Sequence, residues 1–560
     1  MSQSISSDRD DLHDLGYAQE LKRGLGGFSN FAISFSIISI LAGGMTSFWL
    51  GMVTGGPRVI TLGWIIVGFF ALLVGMAMGE ICSAYPTAGG LYYWSAKLAK
   101  NNGPRWAWFT GWFNLLGQIG VIASVDYALA VFIAYFIRMF DDSYRLTVNG
   151  VFVIFLLVLI AHGLLNTFSI NMVKILGDIS VWWHVAGVAV IAGVLFFTPT
   201  NTRGIGGAFD KAPPLNLTGW EGGNVSWFIP IYLFALGMLL AQYTITGFDA
   251  SAHVSEETVG ARTEAPKAIV RAIYVSAIAA LVLNLSMISA LPKKGADGDA
   301  VYAGLAFGPA EDPFLVNASN RLISSAVGTG TAKLLVFICI VGQFFCGMAS
   351  VTANSRMIYA FSRDGALPGS KYWHRINPKT RTPTNSVWLG VVLSAIAGSS
   401  SLYVKGAGAG RYSTAFFAMT GICVIGLYIA YAIPIYLRLT NPDFQTGPWH
   451  LKGKHKLVGW TAITWIGLIT LLFFAPLFWP FWPLWGSGNE IKEFASEGNS
   501  FFRQNNFNFT GPLIILSALG FWAYWHFSGK KWFNGPKVQG TKEELLAIER
   551  ELDALEHGKL

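Results

Sequence analysis

The chain has 560 residues, of which 53% are hydrophobic and only 12% are charged. An ordinary soluble domain carries about 25% charged residues, so the composition excludes a soluble globular protein and indicates one that lies in a lipid bilayer. The formal net charge of +8 would suit a nucleic-acid partner. The basic residues lie between the apolar runs, however, where membrane topology accounts for them, and we predict no nucleic-acid binding.

Apolar runs recur along the whole sequence, and each is long enough for one helical crossing of a bilayer, which needs about 20 residues. We therefore predict an all-α integral membrane protein with twelve transmembrane helices. No cleavable signal peptide is expected, because the segment before the first run is polar and charged. The predicted spans are residues 27–54, 59–86, 105–138, 147–167, 171–198, 227–251, 266–291, 331–361, 383–403, 412–438, 457–485 and 510–528.

Lysine and arginine are about twice as frequent on one side of these spans as on the other. Cytoplasmic loops are enriched in these residues, so we expect a multi-pass protein of the cell membrane with a cytoplasmic N-terminal segment, 1–26, and a cytoplasmic tail, 529–560. In the tail, TKEELLAIERELDAL predicts a separate helix over 541–555, opened by a capping box of Thr541 and Glu544. Its apolar stripe could rest on the protein or on lipid headgroups, or it could dock as a regulatory element.

Glycines lie near the middle of two predicted spans. The first span reads FSIISILAGGMTSFWLGM, with Ala42-Gly43-Gly44 at its centre, and the sixth contains AQYTITGFDASAH, with Gly247. Glycine destabilises a helix, and unwound backbone within a bilayer is tolerated only where protein or a water-filled cavity satisfies it. A single glycine could simply allow close helix packing, but two interrupted spans in matching positions predict a secondary transporter with its substrate site near the bilayer midplane.

The chemistry of unwound backbone suggests how such a site would hold a zwitterion. We expect free N–H groups at Gly43 and Gly44 to face a carboxylate, and free carbonyls near Thr244 to Gly247 to receive an amine, with the helix half-dipoles adding to both effects. Tyr243 could also line the cavity, and Phe248, beside the break, could close it as an outer lid. The predicted substrate-binding residues are Ala42, Gly43, Gly44, Met45, Thr46, Thr244, Thr246, Gly247, Phe248 and Asp249.

Three motifs are similar to those of a known family: MGEICSAYPTAGGLYYWSAKL at 78–98, GFDASAHVSEETVGARTEAPKAI at 247–269 and FSRDGALP at 361–368. They resemble amino acid permeases of the amino acid–polyamine–organocation superfamily, in the amino acid–choline branch that includes 4-aminobutyrate and choline permeases. The resemblance implies a leucine-transporter-type fold with two inverted repeats of five helices, 27–198 and 227–438, followed by two further helices in 457–528. It also implies uptake of small amines or amino acids.

Ionisable residues within spans are functional candidates by default. Glu80 could relay protons or fix the following loop through backbone N–H groups, and Asp126 could bind an amine or hydrogen-bond a neighbouring helix. Asp249 could cap the second half of the sixth span or bind the amine directly. Glu256 and Glu257 could form an inner gate with three nearby basic residues, or they could be a solvated charge run. Those basic residues are Arg262, Lys267 and Arg271.

The resemblance also bears on ion coupling. Related proton-coupled permeases carry a lysine at the place of His184, where its ammonium substitutes for a sodium ion between the first and eighth spans. His184 could therefore titrate and link proton entry to gating, or it could be a hydrogen-bonded core histidine. Ser350 and Thr352 would be sodium ligands if sodium drives transport.

We interpret the sequence as that of a secondary active transporter that imports a small amino acid or amine, such as 4-aminobutyrate, by proton symport. A choline or polyamine permease and an amino acid exchanger are alternatives. A nutrient receptor and a membrane enzyme using His162, Asp178 and Ser180 are alternatives from other classes. The four cysteines and nine histidines lack metal-ligand spacing, so no metal, organic cofactor or catalysis is expected. No particular oligomeric state is predicted.

Overall fold

The computed structural model describes residues 2–168, 170–200, 202–211, 228–309, 311–312, 314–403, 411–474 and 510–556. Within these ranges the chain is helical, and β-structure is confined to isolated bridges, such as the one between Leu25 and Thr258. The predicted all-α class is therefore confirmed for the described part of the chain.

The α-helices are numbered here in chain order. They are α1 Ser2–Asp14, α2 Gly27–Ile37, α3 Phe48–Thr54, α4 Trp64–Ala84, α5 Leu91–Leu98, α6 Gly103–Arg138, α7 Val148–Phe168, α8 Ile170–Phe197, α9 Phe228–Gly237, α10 Leu239–Thr244, α11 Ala250–His253, α12 Ala261–Ser289, α13 Ala296–Phe307, α14 Ala318–Ala326, α15 Thr329–Arg363, α16 Ser370–Trp373, α17 Thr384–Gly398, α18 Arg411–Thr440, α19 His455–Phe474, α20 Thr510–Phe527 and α21 Lys542–Glu556. Two π-helical turns, Ile40–Gly44 and Val59–Gly63, precede α3 and α4.

Ten helical stretches among the described residues are long and apolar enough to cross a membrane. The predicted sixth span is not among them, because it is interrupted and leaves only the shorter apolar stretch Ile231–Thr244. Neither is α20, which occupies the place of the predicted twelfth span. The last part of the predicted eleventh span, from 475 to 485, lies outside the described residues. The structure thus shows a multi-pass helical bundle, and the count of twelve remains a prediction.

The seventh span begins five residues before its predicted start, at Ala261, and contains Pro266. Proline has no N–H, so the carbonyl four residues earlier, that of Arg262, loses its helical partner. The Ser83 hydroxyl donates to this carbonyl at 2.7 Å and replaces the missing bond. A tertiary contact therefore allows the helix to continue through a residue that by sequence alone signals a helix start.

The interior of the bundle is formed by α6, α15 and α18, whose central parts are largely buried. At 36 residues, α6 is about 54 Å long. The packing between α6 and α18 is close: a Cβ on Gly426 would lie 2.9 Å from the Gly117 nitrogen, so the two backbones meet directly there. The helices α1 and α21 pack together at one end of the bundle, called the terminal end below, so the two described chain ends share one side.

Candidate substrate site between two interrupted helices

The first span is interrupted at Ile38 and Ser39. The helix α2 ends at Ile37, Ser39 has extended backbone with ψ 113°, and the chain then enters the π-helical turn that contains Gly43. The Ser39 hydroxyl accepts a hydrogen bond from the Ala42 N–H at 3.0 Å, and the Ser39 carbonyl accepts one from the Gly43 N–H at 2.9 Å. The prediction that the Gly43 N–H is free is therefore wrong: the break lies earlier, and Ser39 caps the turn that follows it.

The sixth span is interrupted between α10 and α11, over residues 245–249. Gly247 has φ +86°, a backbone conformation that L side chains rarely adopt. A Cβ at this position would also overlap the Cγ2 atom of Ile37, the last residue of α2. Gly247 therefore lies in the break, as the sequence indicates, and it contacts the point where the first span begins to unwind.

A second contact joins the two interrupted spans. A Cβ on Gly43 would lie 2.8 Å from the Thr244 hydroxyl oxygen and 2.9 Å from its Cα, closer than real Cβ atoms approach. Gly44 is different, because a Cβ there would meet only the Ile40 side chain at 3.8 Å, an ordinary contact. Of the two adjacent glycines, Gly43 is the one that lets the first span touch the end of α10.

A small cavity lies at this junction. Its volume is about 10 Å³ as traced by the centre of a water-sized sphere, which is close to the space that one water molecule needs. A zwitterion would have to move the surrounding helices apart in order to enter. The lining residues come from five spans: Ile37, Gly43, Val121, Val125, Tyr243, Thr244, Thr246, Cys346 and Cys423.

Three of the ten predicted binding residues, Gly43, Thr244 and Thr246, line this cavity, and so does Tyr243. The other seven do not. The Phe248 ring lies against Tyr431, with 5.1 Å between ring centroids, and does not line the cavity, so its role as a lid stays a prediction. Sequence reasoning missed Val121, Val125, Cys346 and Cys423, because apolar residues within apolar spans carry no local signal of a cavity.

Asp249 directly follows the second break and is fully buried. It stands at the N-cap position of α11 without making a side-chain cap, so the capping prediction is wrong. Its carboxylate instead accepts hydrogen bonds from Asn114 and Gln118 of α6 at 3.2 and 3.1 Å, and from the Tyr431 hydroxyl at 2.7 Å. The Nε2 atom of His253 lies 3.3 Å from it. These partners tie the start of α11 to α6 and α18.

His184 contacts the first interruption directly. Its Nε2 lies 2.6 Å from the Ser39 hydroxyl, its Nδ1 lies 2.8 Å from the Ser180 carbonyl, and the ring is fully buried. The two candidate sodium ligands have other partners: Ser350 donates to the Cys346 carbonyl at 2.8 Å, and Thr352 donates to the Asn166 side chain on α7 at 2.6 Å. The residue that caps the unwound segment is thus held by a titratable ring.

Glu256 and Glu257 are buried at the terminal end, each in an ion pair with an arginine of α15. Glu257 pairs with Arg356 (Nε–Oε1 2.7 Å), and Glu256 pairs with Arg363 (Nη2–Oε1 3.0 Å). We call these four residues the inner cluster. The expected partners were wrong. Arg262 pairs with Asp11 and Lys267 with Glu264, while Arg271 is exposed. The predicted charged cluster is present, but its basic residues come from α15, because the packing of the helices places that helix beside the two glutamates.

The N-terminal segment covers the inner cluster. The Arg363 guanidinium lies 3.8 Å from the Tyr17 ring centroid, and the Gln19 amide donates to the Glu256 carbonyl at 2.8 Å. Beside them the Asp364 carboxylate accepts hydrogen bonds from the Tyr17 and Tyr92 hydroxyls at 3.1 and 2.8 Å. Burial raises the pKa of the Asp364 carboxyl in spite of these donors. The terminal end is therefore closed by charges and aromatic rings together.

A sequence profile of the family described as "Amino acid permease" matches residues 25–521, which include both interrupted spans and the inner cluster. The chain belongs to the amino acid permease family. It is therefore a multi-pass membrane transporter whose substrate class is amino acids.

Individual relatives agree with this assignment. Amino-acid permease BAT1 of Arabidopsis thaliana is 38% identical over 553 residues, which cover 94% of this permease and 95% of the relative. The BAT1 homolog of Oryza sativa subsp. japonica is 36% identical, with 94% of each chain covered. The GABA-specific permease of Saccharomyces cerevisiae is 29% identical over 83% of this permease and 78% of the relative. All three names describe transporters rather than enzymes.

The side chains considered for an enzyme do not come together in this permease. His162 lies 3.1 Å from Asp126, a contact between α6 and α7 that matches the helix-packing interpretation of Asp126. The hydroxyl of Ser29 donates to Asp178 at 3.1 Å, and the hydroxyl of Ser36 donates to Ser180 at 2.7 Å. The three candidates thus have three different sets of partners.

Glu80 fixes a loop through a backbone N–H, but not the loop that was expected. Its carboxylate pairs with Arg438 at 3.1 Å and accepts a hydrogen bond from the Leu451 N–H at 3.1 Å. The loop is the one before α19 rather than the one that follows α4 in sequence. Glu80 thereby joins the end of α4 to the end of α18.

The tail helix α21 forms as its capping box predicts. The Thr541 N–H donates to the Glu544 carboxylate at 2.7 Å, and the Glu544 N–H donates back to the Thr541 hydroxyl at 3.4 Å. The helix docks on the protein itself. Glu549 is buried, lies 2.7 Å from the His13 Nε2 and accepts a hydrogen bond from the Gln19 N–H at 2.8 Å.

Proposed function

We propose that this permease imports a small amino acid or amine across the cell membrane by proton symport, with 4-aminobutyrate as the first candidate substrate. The observation that carries the proposal is the direct contact between the two interrupted spans, at Gly43 with Thr244 and at Gly247 with Ile37, around a cavity. In secondary transporters, substrates bind where such broken helices meet near the bilayer midplane.

The lining of the cavity supports a substrate without a charged side chain. The residues around it are apolar apart from Tyr243, two threonines and two cysteines, and none of them is charged. An acidic or basic amino acid would bury an additional charge with no opposite side chain, which is costly in a desolvated site. A relative named GABA-specific permease is consistent with a small neutral zwitterion.

We propose the predicted architecture for this permease. The ten apolar helices, the interrupted sixth span and α20 would make twelve crossings, with inverted repeats at 27–198 and 227–438 followed by two helices in 457–528. The shared side of α1 and α21 supports an even number of crossings. The excess of basic residues supports a cytoplasmic location for this side, with 1–26 and 529–560 in the cytoplasm.

Uptake by purified permease in proteoliposomes tests the function. We expect counterflow of labelled 4-aminobutyrate, competed by small neutral amino acids and less by acidic amino acids, basic amino acids or choline. Gly43→Ala should reduce uptake about tenfold or more, because its Cβ forces the two interrupted spans apart. Gly44→Ala is the matched control and should change uptake less than about twofold. If folded protein shows no counterflow with any amino acid, the proposal is wrong. If Gly43→Ala and Gly44→Ala reduce uptake equally, the substrate does not bind at the contact between the two interrupted spans.

We also propose His184 as the proton-coupling residue, because it holds Ser39 at the first interruption. Protonation of the ring would change which partner donates in this hydrogen bond and so connect proton entry to the capped turn. We expect uptake by His184→Ala to lose its acceleration when the outside is acidified, while counterflow persists because exchange needs no net proton movement. His455→Ala, at a half-buried histidine that does not line the substrate cavity, is the control. If uptake by His184→Ala keeps the pH dependence of the wild type, His184 is not the proton-coupling residue.

A further inference from the structure

A groove between α6 and α18 lies apart from the substrate cavity. Its volume is about 400 Å³, and it shares no lining residue with that cavity. We call it the α6–α18 groove. Its lining residues are Asn102, Arg105, Trp106, Phe109, Phe113 and Ile433.

The polarity of the groove changes along its length. Asn102 is the N-cap residue of α6 and Arg105 lies in the first turn, so the polar groups are at one mouth. Phe113 lies ten residues into the helix, about 15 Å along its axis. That depth is about half of a hydrocarbon core of ~30 Å, which is the thickness of one leaflet.

Aromatic residues fix the level of the mouth in the bilayer. Trp106 contacts Tyr436 on α18, and Tyr436 contacts Trp460 on α19, each with 6.4 Å between ring centroids. Tyr436 and Trp460 are 42% and 50% exposed. Tyrosine and tryptophan collect where hydrocarbon meets headgroups, so Arg105 lies at headgroup level and the groove extends into the hydrocarbon.

Arg105 is exposed and makes no ion pair within the described ranges of the chain. Lys100 lies five residues before it, and its one acidic partner, Asp443, is 3.7 Å away and largely exposed. The planar guanidinium suits a phosphate, which it can bind through two parallel hydrogen bonds. A ligand that matches both ends of the groove needs an anionic head and an apolar chain about one leaflet long.

We propose that the α6–α18 groove binds an anionic phospholipid, with its phosphate on Arg105 and one acyl chain against Phe109 and Phe113. The groove adjoins the substrate site through its walls: Ile433 is two residues from Tyr431, which holds Asp249, and Phe113 precedes Asn114, which holds the same carboxylate. A bound lipid therefore braces the two helices that position α11.

Native mass spectrometry of the full-length permease, released from detergent, tests the site without any transport measurement. The probes are phosphatidylglycerol, phosphatidylcholine with the same chains, and inorganic phosphate. We expect phosphatidylglycerol to be retained preferentially, and Arg105→Ala to lower its retention about tenfold or more, since it removes the charge-assisted hydrogen bonds to the phosphate. Arg105→Glu should lower it further. Arg375→Ala, at another exposed arginine, should leave it unchanged.

Three results would overturn the lipid site: equal retention by Arg105→Glu and wild type, equal retention of the two phospholipids, or displacement of phosphatidylglycerol by inorganic phosphate. The last result would identify a free-anion site instead of a lipid site. Arg105 is exposed, so its replacement should leave the fold intact, and unchanged thermal unfolding checks this. Because the experiment measures lipid binding and not transport, its result does not depend on whether the proposed transport function is correct.

Discussion

Gly247→Ala is expected to reduce uptake strongly in a protein that still reaches the membrane. At φ +86° a side chain costs about 1–2 kcal/mol, and overlap of the new Cβ with Ile37 adds about 1–3 kcal/mol of overpacking. Relief of the overlap requires Ile37 to move away from the second break, which opens the junction between the interrupted spans. We expect uptake to fall by more than tenfold, measured in proteoliposomes, together with a lower thermal unfolding midpoint.

Gly260→Ala is the matched control for backbone strain. Gly260 has φ +69°, but the nearest neighbour of its Cβ would be the Glu264 side chain at 3.7 Å, an ordinary contact. The Gly260→Ala variant should therefore be less stable than the wild type but keep most of its uptake activity. Adding Ile37→Ala to Gly247→Ala removes the overlapping atom and should restore part of the activity. Wild-type uptake by Gly247→Ala alone would contradict the assigned role of the second interruption.

Glu257→Gln is expected to destabilise the permease strongly and to reduce uptake with it. The Glu257–Arg356 pair has two hydrogen bonds, of 2.7 and 3.3 Å, and its side chains are only 1% and 0% exposed. Removal of one partner leaves an unpaired buried charge, which typically costs about 3–5 kcal/mol. The Glu257 carbonyl also accepts hydrogen bonds from the Gly24 and Leu25 N–H groups, so the N-terminal segment should loosen as well.

The pair Glu264–Lys267 provides the comparison. Its atoms are also 2.7 Å apart, but its side chains are 29% and 39% exposed, and such pairs contribute about 0–1 kcal/mol. Glu264→Gln should thus change the unfolding midpoint little. The double replacement Glu257→Arg with Arg356→Glu restores charge pairing and should recover part of the lost stability. Equal shifts for Glu257→Gln and Glu264→Gln in a thermal unfolding assay would show that burial of the first pair adds nothing.

Local signals predicted several features of this permease correctly. Helical spans follow from the length of apolar runs, because a bilayer demands that each segment satisfies its own backbone. The break at Gly247 follows from a residue that tolerates φ +86°. The capping box of α21 follows from two side chains three residues apart. In each case the deciding interaction lies within one short stretch of chain.

Other features depended on contacts between distant segments. No residue at Ile38 or Ser39 signals a break, and the capping hydroxyl of Ser39 is held by His184, about 145 positions away. The identity of the basic partners of Glu256 and Glu257 was likewise decided by how α15 packs, since charge pairing inside a protein depends on which groups share a desolvated space.

The sequence by itself determined the family, the membrane bundle and the break at Gly247, because composition, motif and glycine conformation are properties of the chain alone. Only the tertiary structure decided which residues enclose the cavity, which arginines close the terminal end and where the first helix stops. Those outcomes require helices from different parts of the chain to meet, and an apolar residue such as Val121 or Cys423 gives no sign of its neighbours before they do.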